Sequence, residues 1–153
     1  MPVAMLLEAA ALMPERGSLL GLDLGTKTIG VAVSDPDRKL AAPVFTIARA
    51  RFASDAERLL ELAAERRAVG FVLGLPLNMD GSEGPRAQAT RAFARNLAKV
   101  TALPIALWDE RLSTAAVERV LIEADASLRK RKAVIDQHAA AYILQGALDR
   151  LRH

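Results

Sequence analysis

Three acidic residues sit where a carboxylate needs a physical reason. Asp23 lies inside the apolar run LLGLDLG (19–25). Strand alternation puts Leu20, Leu22 and Leu24 on one face and Leu19, Gly21 and Asp23 on the other. If that strand is central and covered on both faces, the carboxylate requires a cation, hydrogen bonds or a proton. Glu110 follows the apolar run PIALW (104–108), at the kind of strand end where sites of open α/β sheets gather. Its neighbour Asp109 points to the opposite face if the strand persists, and the pattern alone leaves the two open. Asp136 opens the last helical pattern, three, four and seven residues before Ala139, Ala140 and Ile143, on their inward stripe. Singly, each acid has an ordinary account: Asp23 bonding a turn, Asp109-Glu110-Arg111 as a charged exit loop, and Asp136 favoured by the helix dipole in a first turn. Together they suit a divalent-ion site made of oxygen. Two ions about 4 Å apart in such a site would activate water and steady the leaving oxygen in phosphodiester hydrolysis.

Composition narrows the chemistry. The 153 residues contain no Cys, which excludes disulfides, thiolate metal sites and Cys nucleophiles. The only histidines are His138 and His153, too few for a His-based zinc site, and no Ser-His-Asp set competes. An oxygen-ligand site favours Mg2+ or Mn2+. A 52% hydrophobic, 25% charged chain has a globular balance. The net charge of +3 permits a nucleic-acid partner without requiring one, and Arg129-Lys130-Arg131-Lys132 is the clearest basic run. The start, MPVAMLLEAAALMPERG, lacks a basic leader and is interrupted by Glu8, so no signal peptide is expected. With no apolar stretch of membrane-spanning length, the expected location is the cytoplasm, away from membranes.

The elements that must position these acids follow from periodicity. Residues 1–16 read as a helical extension, and 17–153 as one domain. Strands are expected at 19–25, 28–34 and 41–48, with turns at Gly25-Thr26-Lys27 and Asp35-Pro36-Asp37. Ser54 and Glu57 have capping-box spacing before a helix closed by Gly70. FVLGLP (71–76) is a buried strand, and NMDGSEGP (78–85) a loop. A helix entered at Pro85 should turn Ala89, Phe93, Leu97 and Val100 inward. A fifth strand is expected over 104–108, then a helix capped by Ser113 with Val117, Val120, Leu121 and Ala124 inward. A final helix should run from about Ile135, with Ala139, Ala140, Ile143, Leu144, Ala147 and Leu151 inward. This order gives an α/β fold with a five-stranded mixed sheet and helices on both faces.

Four segments, GLDLGTKTIGVAVSD (21–35), GLPLNMDGSEGPRAQATRAFA (74–94), WDERLST (108–114) and KRKAVIDQHAAAYILQGALD (130–149), resemble the YqgF/RuvX family. The likeness covers roughly residues 18–150. Members are described as Holliday-junction resolvases and as nucleases maturing the precursor of small-subunit ribosomal RNA. The resemblance implies an RNase H-like fold. It also implies a metal site on Asp23, Glu110 and Asp136, selecting Glu110 over Asp109. Thr28 stands where the family usually carries Arg, which leaves Lys27 as the expected phosphate partner. Nucleic-acid contacts are further expected from Asn78, Arg86, Arg111 and the run Arg129, Lys130, Arg131 and Lys132, with Gly81 and Gly84 allowing close backbone approach. Trp108 is expected in packing, and with 4% aromatics base stacking should not dominate recognition. The expected partners are structured RNA or branched DNA and pre-ribosomal particles, with monomer and homodimer both open.

Two other readings fit parts of the pattern. GLDLGTKTIGVA also resembles the first phosphate loop of the actin, sugar-kinase and heat-shock ATPase group, but those proteins close two domains on a nucleotide and no second phosphate motif is found. A non-catalytic RNA-binding or ribosome-assembly factor could keep the fold, yet binding alone does not require the acidic trio.

Overall fold

The computed structural model describes residues 3–112 and 131–152, with the main chain alone described for 131–137. The expected helix from Ser113 and the expected contacts at Arg129 and Lys130 lie outside the described residues.

The first half is built from hairpins. Strand β2 (Leu19–Leu24), strand β3 (Thr28–Ser34) and strand β4 (Ala41–Ala48) pair antiparallel in series. The turn between β3 and β4 is held by Asp35, whose carboxylate accepts main-chain N–H groups from Asp37, Lys39 and Leu40 at 3.1, 2.8 and 2.8 Å. These bonds, with Leu40 foremost, favour the ionised carboxylate and lower its pKa.

The chain then alternates helix and strand: helix α2 (Phe52–Glu65), strand β5 (Gly70–Leu75), helix α3 (Pro85–Ala98) and strand β6 (Ile105–Asp109). A 3-10 turn, Glu110–Leu112, ends β6, and helix α4 (Arg131–Leu151) closes the fold. β5 lies parallel to both β2 and β6.

The sheet has six strands, not the expected five. Residues Val3–Met5 form strand β1, parallel to β6 at the edge, and helix α1 spans only Leu6–Ala10. The spatial order is β1-β6-β5-β2-β3-β4. A three-residue edge strand carries too short a pattern to read as a strand by itself; its pairing with β6 makes it one.

Local signals differ from expectation in three other places. α2 begins at Phe52, with Asp55 accepting from the Ala50 N–H (3.3 Å) while the Ser54 hydroxyl donates to Arg51 O (3.0 Å). It ends before Gly70: Arg67 adopts φ 52° while Ala68 N donates to Ala63 O and Arg67 N to Ala64 O, a Schellman closure made without glycine. In α3 the buried stripe is Ala87, Thr90, Phe93, Ala94 and Leu97, whereas Val100 lies beyond the helix and is 49% exposed. Thr90 can be buried because its hydroxyl donates to Arg86 O (3.0 Å), and the inward stripe runs through it rather than through Ala89, which is exposed.

Two apolar layers cover the sheet. Leu20, Leu22, Phe71, Leu73, Ile105 and Leu107 pack with residues of α2 and α3. On the other face Leu19, Ala32, Val72, Ala106 and Trp108 pack with α1 and α4. No helix among the described residues is long and apolar enough to cross a membrane.

Candidate active site

The odd-numbered face of β2 turns toward α4. A Cβ added to Gly21 would lie 2.7 Å from Leu144 Cβ and 3.1 Å from Ala140 O, so helix and strand approach closely there. Asp23, two residues further along, shares that face. It is 5% exposed on an interior strand, and its cross-strand partner in β3 is Gly30. The β2–β5 register, with Leu22 opposite Leu73, carries on to set Asp23 beside Gly74. Glycine on both sides leaves room around the carboxylate.

Glu110 reaches this place from another direction. β6 ends at Asp109, and the 3-10 turn begins with Glu110. A Cβ on Gly74 would meet Glu110 Oε1 at 2.6 Å and Ile143 Cδ1 at 2.7 Å. The Glu110 carboxylate therefore lies over β5 on the α4 face, about one strand spacing (~4.8 Å) from the β2 backbone at Asp23. Asp136 belongs to α4, and its position falls one turn before Ala140 and two before Ile143, both buried on the sheet side. Its side chain is outside what the structure describes. Among the described residues, which do not include the Asp136 side chain, no group of three acids or histidines converges on a metal-sized space.

Asp109 has a different role. It is 8% exposed and forms a fork with Arg111, whose Nε lies 3.1 and 3.2 Å from the two carboxylate oxygens and whose Nη2 lies 2.8 Å from Oδ2. Arg111 N also donates to Oδ1 at 3.0 Å. The side-chain bonds from Arg111 outweigh burial and hold the Asp109 pKa below the usual carboxylate range.

Arg111 extends the clamp to the loop before α3. Its Nη1 donates to Met79 O at 3.1 Å. That loop is tied to itself: Asn78 N donates to Ser82 O (2.9 Å), Asn78 Nδ2 to Ser82 Oγ (3.0 Å), and Gly81 N to Asn78 O (2.8 Å). Gly81 has φ 89°, in the left-handed region that suits glycine. Asn78 and Arg111 thus shape the loop, whereas Lys27 is exposed on the β2–β3 turn.

Arg86, the second residue of α3, donates Nη2 to Leu24 O (3.1 Å), directly after Asp23. Sequence reasoning missed Arg49, whose Nη1 donates to Gly25 O (2.7 Å) and whose N–H donates to Lys27 O (2.9 Å). Nothing local could have revealed it, since the contact joins residues 24 apart. Arg131 and Lys132 open α4, with their side chains outside the described residues. Trp108 is in the core, 5% exposed, its indole N–H without a hydrogen-bond partner among the described residues.

A mixed sheet ordered in this way, with helices on both faces and acids at the strand ends, defines an RNase H-like domain. The chain resembles Thermus thermophilus RuvC in complex with a Holliday junction substrate, with TM-score 0.54 and 12% identity over 89% of this chain and 96% of that one. RuvC solved from Thermus thermophilus in a second structure gives TM-score 0.53 at 12% identity over 88% and 96%. The RuvX family, described as Holliday junction resolvase, matches residues 17–150. A relative in Rhodopseudomonas palustris (strain BisB5), named "Putative pre-16S rRNA nuclease", is 74% identical over 98% of this chain and 94% of its own length. One of the same name in Bradyrhizobium sp. (strain ORS 278) is 73% identical over 98% and 93%. The chain belongs to the YqgF/RuvX family.

Proposed function

We propose that the chain is a metal-dependent endonuclease acting on structured nucleic acid, with residues 17–153 as its nuclease domain. Its substrate in this reading is the 5′ end of precursor 16S rRNA, in the cytoplasm and on pre-ribosomal particles. The observation that carries the reading is Asp23: a 5%-exposed carboxylate on an interior strand, on the face where Glu110 lies over Gly74. Keeping a buried acid between glycines weakens a core, and a cation-binding site accounts for it. The names of the relatives support the substrate.

The donor set fits a hard divalent ion, since Asp23, Glu110 and Asp136 offer only carboxylate oxygen. Bound there, Mg2+ or Mn2+ would supply Lewis acidity toward a phosphoryl oxygen and lower the pKa of attacking water. The chain's own residues bind and orient. Asp23 is fixed by its strand, and Glu110 by the turn that ends β6. Position 136 brings a third acid on α4. Lys27 and Arg86 supply positive charge where a phosphodiester strand would cross the strand ends. Arg111 holds the 78–84 loop in shape through Met79 O.

A second substrate, branched DNA, is favoured by the family description and the likeness to RuvC in fold. Matched RNA and four-way DNA substrates with Mg2+ or Mn2+ decide between them. Asp23→Asn is expected to lower cleavage about 100-fold or more, as when a charge that stabilises the transition state is lost, while RNA binding persists. Wild-type protein that cuts neither substrate, or an Asp23→Asn variant that cuts as well as wild type, would leave a non-catalytic binding factor as the better account.

A further inference from the structure

Two arginines from distant parts of the chain meet at the turn that follows Asp23. Arg49 holds the carbonyl of Gly25 and Arg86 that of Leu24, at 2.7 and 3.1 Å. A guanidinium has five N–H donors, so each retains several for another acceptor. Both residues are exposed. Between them lies a cavity of about 70 Å³, lined also by Leu24, Gly25, Thr26 and Phe93.

What holds these two guanidiniums differs from what holds four other arginines; Arg38, on two carbonyls, and Arg58, over the Phe45 ring, are held in a similar way but do not line this cavity. Arg16, Arg91, Arg111 and Arg152 each pair with a carboxylate, Asp37, Glu83, Asp109 and Asp149 respectively. Arg49 and Arg86 have no ion pair among the described residues. Arg49 rests instead over the Phe93 ring, 5.7 Å from its centroid, and Phe93 is braced edge-on by Phe52 at 5.4 Å. A ring and two carbonyls orient the charges without neutralising them. That is the arrangement expected of a receptor for an external anion: fixed, forked and still positive. The flank of α3 lines the same cavity through Arg86 and Phe93.

We propose that Arg49 and Arg86 form a phosphate subsite that binds a backbone phosphodiester of the nucleic-acid strand flanking the bond at the acidic centre. The subsite rests on the nuclease reading above. It assigns Arg49, which no motif singled out, to substrate binding, and it explains why the β2–β3 turn is fastened by two cations. Because a phosphate contact carries no base information, the subsite should serve RNA and DNA alike.

The test is the salt dependence of binding, measured in EDTA with a labelled RNA hairpin and, in parallel, a four-way DNA junction. Each phosphate contact contributes about 0.9 to the slope of log K against log salt on a duplex. Arg49→Met keeps the stem against Phe93 and removes the charge. The fall in affinity between about 50 and 200 mM salt should be smaller for it than for wild type, and about 3.5-fold smaller for the double change with Arg86→Met, which removes the one phosphate contact. Arg49→Lys should restore the slope even where it does not restore the melting temperature, which separates anion binding from holding the turn. An Arg49→Met slope equal to that of wild type overturns the subsite. If wild type still cuts and Asp23→Asn does not, the nuclease reading survives that result. Wild-type protein that neither binds nor cuts either probe overturns both.

Discussion

The two faces of the central sheet are built to different rules. Leu73 and Gly74 are consecutive in β5 and point opposite ways. Leu73 is fully buried among Leu22, Ile105, Leu107 and residues of α2 and α3, a layer of large aliphatic side chains. Gly74 lies on the α4 face, where Gly21, Gly30, Ala32 and Ala106 keep the sheet surface low. Small residues let α4 come close to the strands, and they leave space beside Asp23 and beneath Glu110. One face supplies the apolar burial that stabilises the fold. The other gives up part of that burial to hold charge. Stability and chemistry are therefore separable across a sheet one residue thick, and adjacent substitutions should separate them.

The largest effect is expected on the large-residue face. Leu73→Ala removes a fully buried side chain from the layer beneath α2 and α3. It should destabilise by about 2–5 kcal/mol, through lost transfer energy and a residual cavity. Urea unfolding measures this. Cleavage per folded molecule should stay near wild type at a temperature where the variant remains folded. A proportionate loss of cleavage by fully folded protein would break the separation.

Gly74→Ala should show the reverse. The new methyl would stand 2.6 Å from Glu110 Oε1 and 2.7 Å from Ile143 Cδ1. Both contacts are side-chain ends that can move, so the fold survives. The carboxylate must shift, however, and a loss of about 1.4 kcal/mol in transition-state stabilisation corresponds to tenfold in rate. Single-turnover cleavage at saturating metal should thus fall about tenfold, with a small change in urea midpoint. Unchanged cleavage would mean that the Glu110 position over Gly74 is incidental.

The same contrast explains what could be read from the sequence. The faces of β2 were legible because Leu20, Leu22 and Leu24 alternate with Gly21 and Asp23, and a period of two survives any packing. The stripe on α3 was misjudged because Thr90, a polar residue, is buried by bonding its own helix, so hydrophobicity pointed to Ala89 instead. β1 was missed because three residues take their strand identity from β6. Periodicity placed Asp23 inward and set Asp136 on the stripe of Ala140 and Ile143. It could not choose between Asp109 and Glu110, because that depends on where β6 stops and a 3-10 turn begins. Arg49 was invisible because its role exists only once β4 returns beside the β2–β3 turn.

Asp109 and Glu110 offer the smallest but sharpest comparison. They are neighbours, and the carboxylate of Asp109 is matched by a guanidinium fork from Arg111. The Arg111 side chain is about one-third exposed, so solvent screens the pair and keeps its contribution to stability small. Arg111 holds the Asp109 pKa below its ordinary value, so the folded state binds the proton less readily than the unfolded chain. The contribution is complete above the unfolded carboxylate value of about 3.9 and fades as pH falls through the lower folded value. Asp109→Asn imitates the protonated form. Its stability deficit against wild type should be constant from neutral pH down to about 4 and shrink below that. Denaturation midpoints at a series of acidic pH values measure it. A deficit that persists undiminished in strong acid would mean that Asp109 acts through shape or neutral hydrogen bonds, and the ion pair would lose its part in fastening the 78–84 loop.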